Sequence, residues 1–138
     1  MTKHTGTVVQ IMGPVLDIRF ADGELPQLLS AVEVPMEGHT LVAEVAQHIG
    51  DNVARCIAMS STDGLSRGAA AYDTGAPISV PVGDETLGRV FNLLGQPIDE
   101  AGSVETAEKW PIHRPAPSYD EQESATEILE TGIKVVDL

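Results

Sequence analysis

The chain has 138 residues, of which 42% are hydrophobic and 21% charged, a composition typical of packed globular proteins rather than disordered or fibrous ones. Twenty-one acidic against eight basic residues give a formal net charge of −13, which opposes binding to nucleic-acid phosphates and anionic lipid because that binding depends on Lys and Arg. The first seven residues lack a signal or transit pattern, and no stretch approaches the roughly 20 apolar residues of a membrane span. We therefore expect a protein of the reducing cytoplasm, with no nucleic-acid partner and no direct membrane insertion.

Residues 7–82 are predicted to form short strands joined by turns, because runs rich in Val and Ile alternate there with Gly, Pro and Asp. Within the runs, apolar residues recur at every second position, as on one face of a strand. The predicted strands are Thr7–Met12, Val15–Phe20, Leu41–Gln47, Asn52–Ala58 and Ile78–Val82, with a hairpin between the third and fourth. Five or six strands and no long helix in about 80 residues predict a mainly β fold, a small six-stranded closed β-barrel, since closure removes exposed edges.

The pattern changes after Gly83. Residues 86–92 could form one more strand, and Gly95–Asp99 is a predicted turn. Prolines at positions 111, 115 and 117 then exclude helix and favour an extended acidic arm. Trp110, just before this arm, is predicted to anchor it by packing.

The last residues turn apolar again and predict the start of a helix. Thr131 is the favoured N-cap, with the helix opening at Gly132. The alternative, a capping box of Ser124 and Glu127, would place Gly132 inside the helix at a cost of about 1 kcal/mol. Because either helix has barely begun at Leu138 and would leave its apolar face uncovered, we expect the chain to be a fragment of a longer protein.

The residues give no catalytic or ligand-binding constellation. A phosphate-binding Walker loop needs a Lys directly after its last Gly, and the three lysines follow Thr2, Glu108 and Ile133 instead. The histidines at positions 4, 39, 48 and 113 lack the spacing of metal ligands and are predicted to lie on the surface or at strand ends. We therefore predict no catalytic, no cofactor-binding and no metal-binding residues in this chain.

The remaining singled-out residues have structural interpretations. Cys56 alternates within a predicted strand, which indicates a small buried thiol. Arg55 and Arg89 are expected to pair with local acids or a neighbouring subunit rather than with phosphate. Further structural roles are predicted for turn glycines and for solvated acids of the arm, namely Gly13, Gly75 and Gly95, and Asp120, Glu121 and Glu123.

Several segments together resemble the beta subunit of F-type ATP synthases, in the family's order and spacing and over essentially the whole chain. They are Thr7–Phe20, Asp73–Gly83, Leu87–Asp99, Ile112–Pro117 with Tyr119–Gln122, and Glu127–Leu138. Related rotary ATPases, including the alpha subunit and the vacuolar and flagellar export types, share the barrel and the Gly-Pro-Ile-Asp style of turn. The Ile112–Gln122 run is the segment that points to beta.

The resemblance implies an N-terminal barrel domain over residues 1–82, which joins neighbouring barrels in a ring, and an incomplete α/β P-loop ATPase domain over residues 83–138 that lacks the Walker loop. It implies a parent enzyme that makes ATP from ADP and phosphate using a transmembrane proton gradient. The parent would bind Mg-ATP or ADP, whereas this fragment would bind no cofactor and be inactive alone.

The same resemblance implies the partners and the location. They are alternating alpha subunits, the central-stalk gamma subunit through the parent, and a peripheral position on the cytoplasmic face of the bacterial plasma membrane. Two alternatives stay open at this stage. One is a barrel from a related alpha or export-type subunit, and the other is a stand-alone barrel that acts as a binding module, against which the acidic charge and few aromatics argue.

Overall fold

The computed structural model describes residues 4–122, 128 and 130–138. Its first part is a closed barrel of six antiparallel strands, which confirms the predicted mainly β fold. The strands are β1 Thr5–Met12, β2 Val15–Arg19, β3 Ser30–Met36, β4 His39–Gly50, β5 Val53–Ala58 and β6 Ala70–Pro77. Around the barrel they follow the order β1-β2-β5-β4-β3-β6, and β6 pairs with β1 to close it.

The barrel interior is filled by the alternating apolar residues of every strand. Leu16 and Ile18 of β2 are fully buried, as the alternation predicted, and Phe20 just beyond the strand joins them. The other core residues are Val8, Val32, Val34, Leu41, Ala43, Val45, Ala54, Cys56, Ala58 and Ala71. Burial of this apolar surface is the main favourable contribution to folding of the barrel.

Gly6 of β1 is required by close packing rather than by its backbone angles. A Cβ built on Gly6 would lie 2.8 Å from Ile18 Cγ2 and 2.8 Å from Phe20 Cε1, well inside ordinary contact distance. The absent side chain therefore lets β1 approach the apolar residues at the end of β2.

Tight turns set the strand register. The predicted hairpin between the segments at 41–47 and 52–58 is confirmed as β4 and β5, with β4 extending to Gly50. Its turn residues Asp51 and Asn52 both have positive φ, 51° and 57°, as a type I′ turn requires. Gly13 has φ 58° between β1 and β2, so its predicted role as a turn glycine is confirmed.

Two barrel strands, β3 and β6, lie outside the segments predicted to be strands. β3 has the alternation of a strand, since Val32 and Val34 are buried and Glu33 and Pro35 are not. β6 is rich in Ala and contains Gly, residues with weak strand propensity, so its sequence gives little strand signal. β6 is nevertheless held by β3 on one side and β1 on the other.

The prediction that Ile78–Val82 is the last barrel strand is wrong. β6 already closes the barrel, so no free edge remains for another strand. Residues Ser79–Val82 instead form β7, which pairs with β8, Glu108–Pro111, in a separate two-stranded sheet. The barrel strands end at Pro77, and the domain boundary at Val82 stays a prediction.

We call residues 78–122 the connecting segment. The strand suggested at residues 86–92 is wrong, since Asp84–Thr86 is a 3₁₀ turn and Gly88 has φ 70°, which a strand does not accommodate. The predicted turn at Gly95–Asp99 is present, with Gly95 at φ 72° and the Asn92 side chain accepting hydrogen bonds from the Leu94 and Gln96 amides.

Near its end the connecting segment has a second 3₁₀ turn, Tyr119–Glu121. Trp110 in β8 keeps 45% of its surface exposed, and the Arg114 guanidinium lies over its ring, 3.8 Å from the centroid. The tryptophan thus packs against its own segment, while the rest of its surface faces solvent.

A single helical turn, α1 Lys134–Asp137, lies near the end of the chain. It begins two residues later than predicted because Gly132 has φ 73°, outside the helical region, and Ile133 takes the N-cap position. The Asp137 carboxylate accepts hydrogen bonds from the Thr131 and Gly132 amides. The alternative capping box of Ser124 and Glu127 lies outside the described residues. Within the described part of the chain, no helix has the length and apolar character needed to cross a membrane.

Candidate interaction surface

The outward-facing side of β1, β2, β5 and β4, here called the outer wall, carries two rows of side chains. Because directly paired residues on neighbouring strands point to the same face, one row contains Met12, Val15 and Ile57, which are paired in register across β1, β2 and β5. The row ends on β4 at Glu44, which pairs with Ile57 and binds His113. Met12 is 42% exposed and Ile57 is 45% exposed. The row is therefore an apolar strip on the outside of the barrel.

The second row is polar and lies beside the first. Gln10 pairs with Asp17, Asp17 with Arg55, and Arg55 with Gln47, so the row crosses all four strands of the outer wall. Since side chains two residues apart on one strand share a face, Arg55 stands next to Ile57, and Asp17 next to Val15. The outer wall thus presents an arginine at the edge of an apolar strip.

Asp17 and Arg55 form a bidentate ion pair. Arg55 donates from Nε to Asp17 Oδ1 at 2.8 Å and from Nη2 to Asp17 Oδ2 at 2.9 Å. The side chain of Asp17 is 4% exposed, whereas that of Arg55 is 36% exposed. The hydrogen bond from Arg55 outweighs burial and holds the pKa of the Asp17 carboxyl below its usual value, and the same bond raises the pKa of Arg55.

Arg89, the other arginine singled out, also pairs with a local acid. It donates to both carboxylate oxygens of Asp99, at 2.6 and 2.9 Å, and to the Gly102 carbonyl. This bond lowers the pKa of Asp99, to which the Val90 and Ala101 amides also donate. The prediction that both arginines pair with neighbouring acids is confirmed.

The buried thiol predicted at Cys56 is confirmed. Its side chain lies in the barrel core with no exposed surface. Burial, and to a smaller extent the nearby Asp17 charge, raises the pKa of Cys56 to about 12. A thiol in that state is a poor nucleophile at neutral pH.

The four histidines do not come together. His4 Nδ1 lies 3.8 Å from Glu24 Oε2, and His48 Nε2 bonds to the Pro26 carbonyl. His113 Nε2 bonds to Glu44 Oε2 at 2.7 Å. His39 is exposed at the start of β4. Within residues 4–122, 128 and 130–138, no group of three or more His, Cys, Asp or Glu side chains is placed to hold a metal ion.

The acids of the arm have separate surroundings. Asp120 and Glu121 are exposed, and Glu121 accepts a hydrogen bond from the Ser118 amide, which lowers the pKa of Glu121. Glu121 therefore caps a 3₁₀ turn. Glu123 lies outside the described residues.

The cavities of the described region are shallow. One of about 390 Å³ lies at the end of the barrel, lined among others by His4, Glu24 and Asp73. Asp73 is buried there and uses Oδ1 to accept a bond from the Gly75 amide. The prediction that Gly75 is a turn glycine is wrong, because Gly75 lies within β6 where the register between β3 and β6 shifts. Its φ of 71° and the bond to Asp73 belong to this β-bulge.

Residues 8–75 match the family model described as "ATP synthase alpha/beta family, beta-barrel domain". The chain carries the barrel domain of the ATP synthase alpha/beta family. The match begins in β1 and ends in β6, so it takes in residues of all six barrel strands and both rows of the outer wall. The predicted resemblance is confirmed for this barrel domain of the alpha/beta family.

The apolar row on the outside of this ATP synthase alpha/beta barrel is not among the residues predicted from the sequence. A signal was present, since Val15 stands among the outward-facing residues Asp17 and Arg19 opposite the predicted core face of β2. Ile57 likewise alternates with the core residues Cys56 and Ala58. Apolar residues at outward positions that pair across neighbouring strands form a contiguous exposed patch, the kind of surface that marks interaction sites.

Proposed function

We propose that the chain is part of the catalytic beta subunit of an F-type ATP synthase and that its barrel serves assembly of the subunit ring. The observation that carries the proposal is the family match over the closed barrel at residues 8–75. The choice of beta over alpha rests on the Ile112–Gln122 run, which lies beyond the matched residues and resembles the beta subunit.

The parent enzyme, in this proposal, makes ATP from ADP and phosphate with energy from a transmembrane proton gradient. It binds Mg-ATP or ADP through residues other than those of this chain, and it works as a peripheral complex on the cytoplasmic face of the bacterial plasma membrane. Alpha subunits alternate with it in a ring around the central-stalk gamma subunit. The chain itself contributes contacts and no chemistry.

The outer wall supports an assembly role. Its apolar row of Met12, Val15 and Ile57 lies on the outside of a barrel whose interior is already filled. Met and Arg are enriched in the buried centres of protein interfaces, and Met12 and Arg55 share this wall. A partner that covers the row would remove apolar surface from water and so stabilise the complex.

The test is association of the full 138-residue chain with a purified alpha subunit or a purified beta subunit of F-type ATP synthase, followed by sedimentation velocity. We expect a complex with alpha and none with beta. A complex with beta alone would assign the chain to the alpha type, and failure to bind either would contradict the assembly role.

A steady-state assay of the chain with Mg-ATP completes the test. We expect no turnover above the buffer blank, because the sequence has no Lys directly after a Gly to form a Walker loop. Turnover that copurifies with the chain would contradict the proposal that it contributes only contacts.

A further inference from the structure

Arg55 is held rigidly at the surface of the outer wall. Two of its three guanidinium nitrogens, Nε and Nη2, are bound by the buried Asp17 carboxylate. Its third nitrogen, Nη1, has no hydrogen-bond partner among the described residues. A fixed guanidinium loses little conformational entropy when it binds again, which favours its use as an anchor.

The surroundings of Arg55 are those of an interface centre rather than of an isolated surface charge. Ile57 stands two residues along β5 on the same face, and Met12 and Val15 continue the apolar row. Arginine beside large apolar side chains is the composition in which binding energy concentrates, because the apolar neighbours exclude water from the polar contact.

The exposed part of the ion pair is the hydrogen-bond donor Arg55. The group that it binds on a partner is therefore a hydrogen-bond acceptor. Asp17 is almost fully covered while about a third of the Arg55 side chain is open to solvent, so an approaching surface meets N–H groups and not the carboxylate. A planar guanidinium edge binds carboxylate most strongly. A second copy of this chain is disfavoured by repulsion between two net charges of −13.

We propose that Arg55, oriented by Asp17, anchors the neighbouring subunit by binding a carboxylate that apolar side chains surround on that subunit's barrel. Met12, Val15 and Ile57 pack against those apolar side chains. Asp17 is a positioning residue, since it reaches the partner only through Arg55. This inference rests on the proposed function, because the neighbour is the alpha subunit of the ring.

The experiment compares binding of the wild-type chain, Arg55→Ala and Arg55→Lys to a purified alpha subunit by sedimentation velocity, with Arg19→Ala as the matched control. Arg19 is an exposed arginine on the same wall, two residues from Asp17 on β2. We expect Arg55→Ala to weaken binding by about tenfold or more and Arg19→Ala by less than about twofold. Arg55→Lys keeps the charge but loses the fork, so we expect an intermediate loss.

A second variant, Ile57→Ser, tests the same surface in case Arg55→Ala does not fold. Ile57→Ser changes a half-exposed side chain of the same face, keeps the ion pair and is also expected to weaken binding, while far-ultraviolet circular dichroism reports that the barrel is intact. If the wild type binds and both Arg55→Ala and Ile57→Ser bind equally well, the anchor is refuted and the assembly role stands. If the wild type does not bind, the proposed function itself fails.

The salt dependence of binding distinguishes the contribution of Arg55 from that of the apolar contacts. An ion pair across the interface weakens as salt is raised, whereas apolar contacts do not. We expect wild-type binding to fall with added NaCl more steeply than binding by Arg55→Ala. Equal salt dependence of the two would contradict a carboxylate as the partner group.

Discussion

The barrel and the connecting segment are stabilised in different ways. In the described part of the chain, every buried apolar side chain except Ile78 belongs to residues 8–58 or is Ala71, all within the barrel. The connecting segment is held by polar bonds instead, such as those of Arg89 with Asp99, of Asn92 with its own loop and of β7 with β8, and His113 bonds to Glu44 of the barrel. The barrel is therefore the cooperative folding unit, and the segment is ordered locally upon it.

The largest expected effect is on the free energy of unfolding, when a leucine of the barrel and a leucine of the connecting segment are each replaced by alanine. Leu16→Ala removes a fully buried side chain from the barrel core and should lower the free energy of unfolding by about 3 kcal/mol. Leu87→Ala alters a side chain of the connecting segment that is 75% exposed, so it should change the free energy of unfolding by less than about 0.5 kcal/mol. Urea denaturation followed by circular dichroism measures both, and equal losses would contradict the comparison.

Gly6→Ala should have the next largest effect, because the new Cβ would collide with Ile18 and Phe20. Overpacking of this kind lowers the free energy of unfolding by about 2 kcal/mol. Thr7→Ala, at the adjacent exposed position of β1, is the control and should cost no more than about 1 kcal/mol. If Gly6→Ala were as stable as the wild type in the same urea titration, β1 would not pack as closely on Phe20 as described.

The ion pair of the outer wall predicts a specific pH dependence. Because Arg55 lowers the folded-state pKa of Asp17, the pair contributes stability above the unfolded-state pKa of about 4 and loses it as pH falls through the folded-state value. Arg55→Met should therefore be less stable than the wild type at neutral pH, and the difference should narrow below about pH 4. Denaturant midpoints measured across this range test the prediction, and a difference that stays constant would contradict it.

The smallest expected effect on stability comes from a substitution in the connecting segment. Arg89→Ala removes both bonds to Asp99, which itself accepts hydrogen bonds from the Val90 and Ala101 amides. We expect faster hydrogen exchange at those two amides and an unchanged unfolding midpoint of the barrel. A shifted midpoint would show that the segment and the barrel unfold together.

The sequence predicted the barrel because alternation in β2, β4 and β5 is strong and their turns contain Gly, Asp and Asn. It failed at β6, whose pairing is imposed by closure of the barrel and not by the propensities of Ala and Gly. For the same reason it assigned Ile78–Val82 to the barrel. Which strand occupies a closing position depends on long-range pairing that local patterns do not contain.

The interaction surface was only partly predictable. The pairing of Arg55 with an acid is predictable from the excess of acidic over basic residues. Its partner Asp17, however, lies 38 residues earlier in the chain and is brought opposite it by the β2–β5 register. The apolar row has the same origin, since Met12, Val15 and Ile57 become neighbours only across three strands. The types of residue can be read from the sequence, whereas the strand order of the barrel brings them together into one surface.

Hydrogen exchange of the 138-residue chain, with and without a purified alpha subunit, tests most directly whether the barrel is both the folding unit and the contact module. We expect the amides of β1, β2 and β5 to exchange slowest in the free chain and to gain further protection in the complex, with residues 84–107 of the connecting segment unchanged. Protection that appears only in residues 84–107, with β1, β2 and β5 unaffected by alpha, would contradict the proposal.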